Sequence, residues 1–469
     1  MDDGRLLWQC PYRTPGSAAP RNRLQTGRGT DSPGPTEARH SRPHRRCRAA
    51  GNYYLPAKRA FAGAGFETRI VNPFATKQYR MPANPGNKTD ETDLFAQHRA
   101  AVAGFGLCEF ELQSPYRELQ LRARHRRNLV QKAAALACQI REHLHLGMPD
   151  YANLFDDLFE SPTGLVIAAL CNSPAKLTEL GALGVSRQLR KKKVAYQTRT
   201  IDKVLAWAAQ AANNPIHDGP MHHAIWTDLH ELYQHFHKQV AALERELASD
   251  LVQTPYIRLL AIPGINVVSA ADLAAEMGPI TRYANANSIT GRSGLYPSRH
   301  QSDQTDNDRG PIIRHANRRL RCVLMRIADN LACHCNYYRS RADVDEKRGT
   351  DKRAVRVKIA KRFSRLALAC VAGDEPMRHP CFQQPDSILE KLRRFHQDHE
   401  TAVDRLLADL NAAVGQLPYN TRSHEAKIVA GVLQERAQRR RGASAIGDLL
   451  PAVLARLNVT EENKCGDRS

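Results

Sequence analysis

The chain is short of acid: its 469 residues hold 48 Asp and Glu against 69 Lys and Arg, a formal net charge of +21. A fixed basic surface gains free energy by displacing counterions from phosphate backbones, so nucleic acid is the first partner to expect. Long apolar runs are also lacking. The longest, Gly164 to Cys171, is far below the roughly 18 to 20 residues of a bilayer-spanning helix, and no charged-then-apolar leader follows Met1. These absences exclude a membrane partner and imply a cytoplasmic protein. The eleven cysteines are scattered and never form a CxxC pair, which argues against a disulfide framework and suits a reducing compartment. Cys333, His334 and Cys335 cluster within a helical pattern without a second half-site, which disfavours zinc.

The first 49 residues lack Lys, Val, Ile and Phe altogether while holding ten Arg, six Pro and five Gly. Such a composition predicts neither strand nor core, so residues 1–49 are expected to be disordered. An Arg-rich arm for nucleic acid is the ordinary reading. Ten Arg without one Lys fits better with GC-rich DNA translated in a foreign frame.

What is present is ordinary globular material, 42% hydrophobic and 25% charged, long enough for two or three domains. Tyr53 to Gly65 reads as a helix, Glu67 to Val71 as a strand closed by Asn72 and Pro73, Pro82 to Gly86 as a loop, and Thr89 to Ala96 as a helix, an α/β order. Ser114 to Leu146 predicts a long amphipathic helix carrying Arg122, Arg124, Arg126 and Arg127. Helices continue to Leu251 with breaks at Ser161 to Thr163, Asn172 to Pro174 and Asn213 to Pro220, forming a spacer or dimerising element. Between Gln253 and Gly373 there are 21 Lys and Arg against 10 Asp and Glu. In Ala316 to Tyr338 the apolar set Leu320, Val323, Leu324, Ile327 and Leu331 shares one helical face, opposite Arg318, Arg319 and Arg326. Val355, Ile359, Phe363, Leu366 and Cys370 repeat the pattern, with Lys352, Arg356, Lys358, Lys361 and Arg362 around them. A one-signed charged face favours nucleic acid over mere solvation. Beyond Pro380 come one more amphipathic helix, Ile388 to Leu410, and a basic run, Arg436 to Arg441.

Three segments carry candidate chemistry. In KTDETD, Asp90 and Asp93 stand three apart at a helix start, where two oxygens on one face suit Mg²⁺; acids in a first turn also simply complement the helix dipole. In LLAIPGIN the turn at Gly264 precedes a new helix whose backbone N–H groups can hold a phosphate, and an ordinary helix-to-helix turn reads equally well. GLYPSRHQSD places Ser298 and Ser302 in a polar loop beside Arg299 and His300, the ingredients for attack on phosphorus, although loop serines are mostly turn formers.

Taken in order, GNYY, IVNP, KTDETD, LLAIPGIN, AAEMGPITRYANANSITGRSGLYPS and GPIIRHANRRLRCVLMRIADNLA resemble the insertion-sequence DEDD transposases related to the Piv DNA invertase, known as the one-hundred-ten family, over about residues 50–373. The resemblance implies an RNase H-like (RuvC-like) α/β domain with four acids, a helical linker and a small helical transposase domain with a nucleophilic serine. It further implies Mg²⁺, a DNA substrate and, in some members, a structured bridge RNA as guide. On this resemblance Asp90 and Asp93 match the last two acids, as metal ligands, and Ser302 the nucleophile, with Ser298 second because Asp303 replaces the usual glycine. Arg48 occupies the glutamate's place and no strand is expected for the first aspartate, so activity is expected to be impaired. Nucleic-acid contacts are expected from Arg318, Arg319, Arg326, Lys352, Lys361 and Gly264. The domains expected are 1–49 disordered, 50–150 a partial RuvC-like remnant, 151–252 the linker, 253–375 the serine domain and 376–469 a helical basic tail, assembled as a homo-oligomer. The rival reading is a non-catalytic nucleic-acid-binding remnant of such a transposase; a Holliday-junction nuclease relying on metal alone comes third.

Overall fold

The computed structural model describes residues 9–10, 44–48, 53–81, 86–108, 111–213, 216–302, 305–307, 310–313, 316–383 and 386–417. The chain divides after Glu111 into two units. The first holds β1 (Gln9–Cys10), β2 (His44–Arg48), α1 (Tyr54–Gly63), β3 (Glu67–Val71), α2 (Pro73–Arg80), α3 (Asp90–Val102) and β4 (Gly106–Cys108). Its sheet has the order β1-β2-β3-β4, with β2 and β3 parallel and the outer pairings antiparallel. β2–α1–β3 is therefore a crossover unit, the connection that parallel strands require. The Asn72 side chain accepts from the Phe74 N–H at 2.9 Å, so the residue expected to close β3 also opens α2, a helix the sequence reading left out. Val71, Ala75, Ala100 and Ala101 form a small core beneath Tyr79.

The expectation of no strand before residue 50 is corrected here: His44–Arg48 pairs along its whole length with β3, Arg48 opposite Val71. A ladder is built from backbone N–H and C=O groups, and a neighbouring strand can impose register on a sequence without β-branched residues.

The second unit is organised on two long helices, α4 (Tyr116–Gly147) and α8 (Gly219–Leu251), of 32 and 33 residues. They run antiparallel: Arg122 meets Asp250, Arg126 meets Glu244, His143 meets His222, and Gly147 lies against Gly219. Between them come two 3₁₀ turns (Tyr151–Leu154, Leu158–Glu160), α5 (Pro162–Leu170), α6 (Pro174–Lys191) and α7 (Thr198–Ala211). The expected breaks at Ser161 and Ser173 are helix starts. Each serine accepts from the backbone N–H three residues on and is followed by Pro, the preferred N-cap and first-position pair. Ile140, Leu144, Tyr151, Ile167, Leu177, Leu189 and Trp226 fill this end of the helix pair.

The other end is larger. A 3₁₀ helix (Pro255–Ala261) leads to α9 (Val267–Met277), a 3₁₀ turn (Ile280–Arg282), α10 (Ala286–Ser293), the hairpin β5 (His300–Ser302) and β6 (Thr305–Asn307), α11 (Arg318–His334), α12 (Asn336–Lys347), α13 (Lys352–Ala372), α14 (Asp386–Asp398) and α15 (Val403–Gln416). Leu119 and Ala123 of α4 and Leu247 and Leu251 of α8 join Leu273, Leu324, Leu331, Ile359 and Phe363 in one core.

Three expectations change. The helix expected over 316–338 breaks at Cys335, whose backbone is extended (φ −111°, ψ 113°), because that thiol is buried in the core. The single helix expected over 388–410 is two, turned where Glu400 takes φ +50° and Thr401 meets buried His396 at 3.2 Å. The boundary expected at 375 does not hold either: Leu389, Leu392, Leu406 and Leu410 are all buried in the same core. An amphipathic helix hides its apolar stripe wherever a complementary face is nearest, and here that face is the Pro255–Ala261 helix. Among the described residues no helix is long and apolar enough to cross a membrane. The run at 436–441 lies outside the described residues.

Because α14 is core, Leu392→Ala should destabilise this unit by about 2–5 kcal/mol, read as an earlier midpoint in urea denaturation of the full chain. A tail folded independently would leave the main transition where it is.

Candidate nucleic-acid interface

The two carboxylates of KTDETD do share the first turn of α3, which Thr89 and Thr92 close with a reciprocal capping box. Their surroundings differ. Asp90 is exposed, whereas Asp93 is buried and accepts from Arg80 of α2 at 2.9 Å. An arginine held that close competes for the oxygen a cation would use. Among the described residues no group of three or more His, Cys, Asp and Glu is placed to hold a metal ion, and two carboxylates, one already paired, are too few for a cation pair. The described residues do not fit the implied Mg²⁺, and no chemical step is derived through it.

The serine segment is a β structure and not the loop expected. β5 and β6 pair with Ser302 opposite Thr305 and His300 opposite Asn307, so Ser302 stands beside the hairpin turn with His300 two residues back on its strand. Ser298 is neither turn residue nor helix cap. Its N–H donates to Pro311 O at 2.9 Å, its carbonyl accepts from Gly310 N at 3.1 Å, and Ile313 N donates to Tyr296 O at 3.2 Å. The fit is tight enough that a Cβ on Gly310 would lie 2.4 Å from Ser298 Oγ. That hydroxyl is buried without a hydrogen-bond partner among the described residues, a position held by backbone pairing at the cost of its own solvation.

The expected phosphate contacts separate. Gly264 and Arg326 line one cleft of about 690 Å³ with Arg126, His334, Lys391 and His399. Gly264 sits there at φ +84°, with a Cβ position 2.8 Å from Asn330 O, so close backbone approach to α11 already requires glycine. Asn266 caps α9 with a capping box through Ser269, and residues Asn266, Val267, Val268 and Ser269 line the cleft. Arg326 is ion-paired with Asp272. Arg126 binds Glu244 at 2.6 Å, and His399 Nε2 lies 2.8 Å from the same carboxylate. Arg318, Arg319 and Lys352 are exposed and do not line this cleft; Lys361 lines a smaller hollow beside α10.

Lys391 was missed by the sequence reading. Its Nζ donates to Leu260 O (2.6 Å), Ile262 O (2.8 Å) and Ile265 O (3.3 Å), tying α14 to the Gly264 turn. Burial pushes its pKa down to about 8. A signal existed: with Ile388, Leu392 and Phe395 on the apolar stripe, Lys391 falls among them at helical spacing.

Of the α4 arginines, Arg122, Arg124 and Arg126 also turn inward. Arg124 holds Glu276 at 2.9 and 3.1 Å, with Asn317 Nδ2 donating at 3.2 Å. Burial opposes ionisation of Glu276, yet these donors and nearby Arg319 keep its carboxyl below the usual range.

Residues 257–345 match the sequence model described as Transposase IS116/IS110/IS902 family, and residues 36–149 match that of the DEDD transposases of IS110 type. The second match takes in β2. The transposase for insertion sequence element IS1328 of Yersinia enterocolitica is 30% identical over 105 residues, 22% of this chain and 31% of that protein. The chain thus aligns with about a third of that relative's length.

Two measurements test the site chemistry. Calorimetric titration with Mg²⁺ should give weak binding, strengthened in Arg80→Ala, which removes the ion pair on Asp93; tight binding by the unaltered chain would show that further residues complete a site. Between pH 7 and 9 the folded state releases the Lys391 proton before the unfolded state does, so rising pH favours folding through this group. Buried Cys370 and Cys381, with thiols pushed up to about 12, act oppositely above pH 9. Denaturation of the parent relative to Lys391→Met should therefore show the parent gaining with pH, by at most about 1 kcal/mol for a part-exposed lysine.

Proposed function

We propose that this chain, which carries two transposase segments of IS110 type, is the DNA recombinase of an insertion sequence. The observation that carries the reading is the position of the serine hairpin: it lies inside the downstream transposase match and leads directly into α11, whose first turn exposes Arg318 and Arg319. A nucleophile needs cations to hold the scissile phosphate and an acceptor for its proton. In this reading the Ser302 hydroxyl attacks phosphorus, its proton passes to His300, and the P–O bond to the leaving sugar oxygen breaks as that oxygen is protonated. DNA and a structured guide RNA are held by Arg318, Arg319, Arg326, Lys352, Lys361 and the N–H groups after Gly264. The first unit, with its parallel β2–α1–β3 crossover, serves as the RNase H-like part, and the chain acts as a homo-oligomer.

The second reading, a nucleic-acid-binding remnant that does not cut, is favoured by two observations. Asp93 is tied to Arg80 and Arg48 stands where the resemblance places a glutamate.

If the basic block holds phosphate, affinity of the full chain for DNA or structured RNA should fall steeply with salt, with a slope near −0.9 per phosphate contact on duplex. Replacing Arg318, Arg319 and Arg326 together with Ala should flatten that slope; an unchanged slope removes them from the surface. In the chain carrying Arg48→Glu and supplied with its element ends and guide RNA, a protein–DNA adduct is expected that vanishes in Ser302→Ala and persists in Ser298→Ala. The reverse pattern moves the nucleophile, and adducts in both variants exclude a serine mechanism. No adduct in any form, with salt-dependent binding retained, favours the remnant.

A further inference from the structure

The hollow between α10 and α13 has a different character from the Gly264 cleft. It measures about 390 Å³ and is lined by Asn287, Thr290, Gly291, Tyr296, Lys361 and Arg365, a size within the ~300–1,000 Å³ range of small-ligand sites. The cations of α13 divide by face. Arg356 binds Asp329 at 2.9 Å, Lys358 binds Asp345 at 3.1 Å, and Arg362 lies 3.8 Å from Asp345. Lys361 and Arg365, one turn apart and both facing the hollow, have no carboxylate partner among the described residues.

Opposite them stands Tyr296, an aromatic ring 41% exposed on a backbone fixed by the hydrogen bond from Ile313 N at 3.2 Å. Two cations without a carboxylate partner among the described residues, beside an exposed ring, make a platform for one nucleotide: the phosphate meets the cations and the base stacks on the ring. The ring also precedes Ser298 by two residues on the segment that continues into the Ser302 hairpin. A base paired within a duplex presents its edges in the grooves and not its face, so the occupant must be unpaired.

We propose that this hollow binds an unpaired nucleotide of the DNA strand adjoining the bond to be cut. Tyr296 stacks the base, and Lys361 and Arg365 hold its phosphate. The proposal rests on the transposase reading for its choice of DNA.

Gly291 gives the test. A Cβ built there meets nothing within 4 Å, so a longer side chain enters the hollow without displacing the fold, and helix α10 gains propensity. Using the full chain, anisotropy is measured with a fluorescein-labelled twelve-residue oligothymidylate, its abasic counterpart, the matching duplex and oligouridylate. The parent should prefer oligothymidylate to the abasic strand by roughly tenfold, the scale of one base–aromatic stack. Tyr296→Ala should erase that preference. Gly291→Glu should weaken oligothymidylate binding at least tenfold while Gly291→Ala leaves it unchanged, thermal melting confirming that both fold. Duplex binding should be altered little by any of the three. Oligothymidylate affinity untouched in Tyr296→Ala and Gly291→Glu overturns the hollow, and the transposase reading still stands if the Arg318, Arg319 and Arg326 variant loses duplex. Equal losses with oligouridylate overturn the assignment to DNA. Binding of no nucleic acid by the parent overturns both readings together.

Discussion

The antiparallel contact between α4 and α8 is the constraint on which the second unit depends. Each helix contributes to both cores, Leu119 and Leu247 at one end and Ile140 and Trp226 at the other. Apolar burial alone does not set the register of two long helices, because a slide by one turn preserves much of it. The charges do. Arg122 reaches Asp250 and Glu246, Arg126 reaches Glu244, and Arg124 reaches Glu276 on α9. Exposed ion pairs contribute at most about 1 kcal/mol each, but the Asp250 and Glu244 side chains of α8 are only 15% and 14% exposed, and slipping the register would strand them largely buried at a cost of several kcal/mol.

This ladder changes the meaning of the net charge. In the sequence the arginines of α4 and the single-signed helices downstream look alike, since a count of charges carries no direction. In the fold, Arg122, Arg124 and Arg126 answer specific carboxylates, Arg326 pairs with Asp272 while about half of its side chain (48%) stays exposed, and cations such as Arg318, Arg319, Lys352, Lys361 and Arg365 have no carboxylate partner among the described residues. An electrostatic footprint is what remains after internal pairing.

Legibility in the sequence follows the range of the interaction. β3 was readable to the residue because the β-branched Thr68, Ile70 and Val71 end at an Asn-Pro cap. α4, α11 and α13 were readable because period 3.6 is local. β2 was not, since its strand character is supplied by β3; nor was the turn at Glu400, which follows from burying His396 beside Asp409 at 3.3 Å. At the site, the shared turn of Asp90 and Asp93 was legible from spacing, but Arg80, thirteen residues upstream of Asp93, was not. Gly264 and Arg326 were marked separately, and only the packing of α9 against α11 brings them into one cleft. The hairpin under Ser302 was hidden by turn-forming residues that read as loop.

The placement of the two cores along α4 and α8 also orders the birth of the structure. The smaller core draws on residues 140 to 226 and is closed by contacts of modest sequence separation, whereas the larger one joins Leu119 to Leu417 across nearly three hundred residues. Loop closure over the shorter span is entropically cheaper, and a chain emerging from the ribosome reaches it first. Once formed, the helical hairpin delivers the start of α4 to the end of α8 as a ready template, so the later helices condense on a preassembled seam and need not search for one.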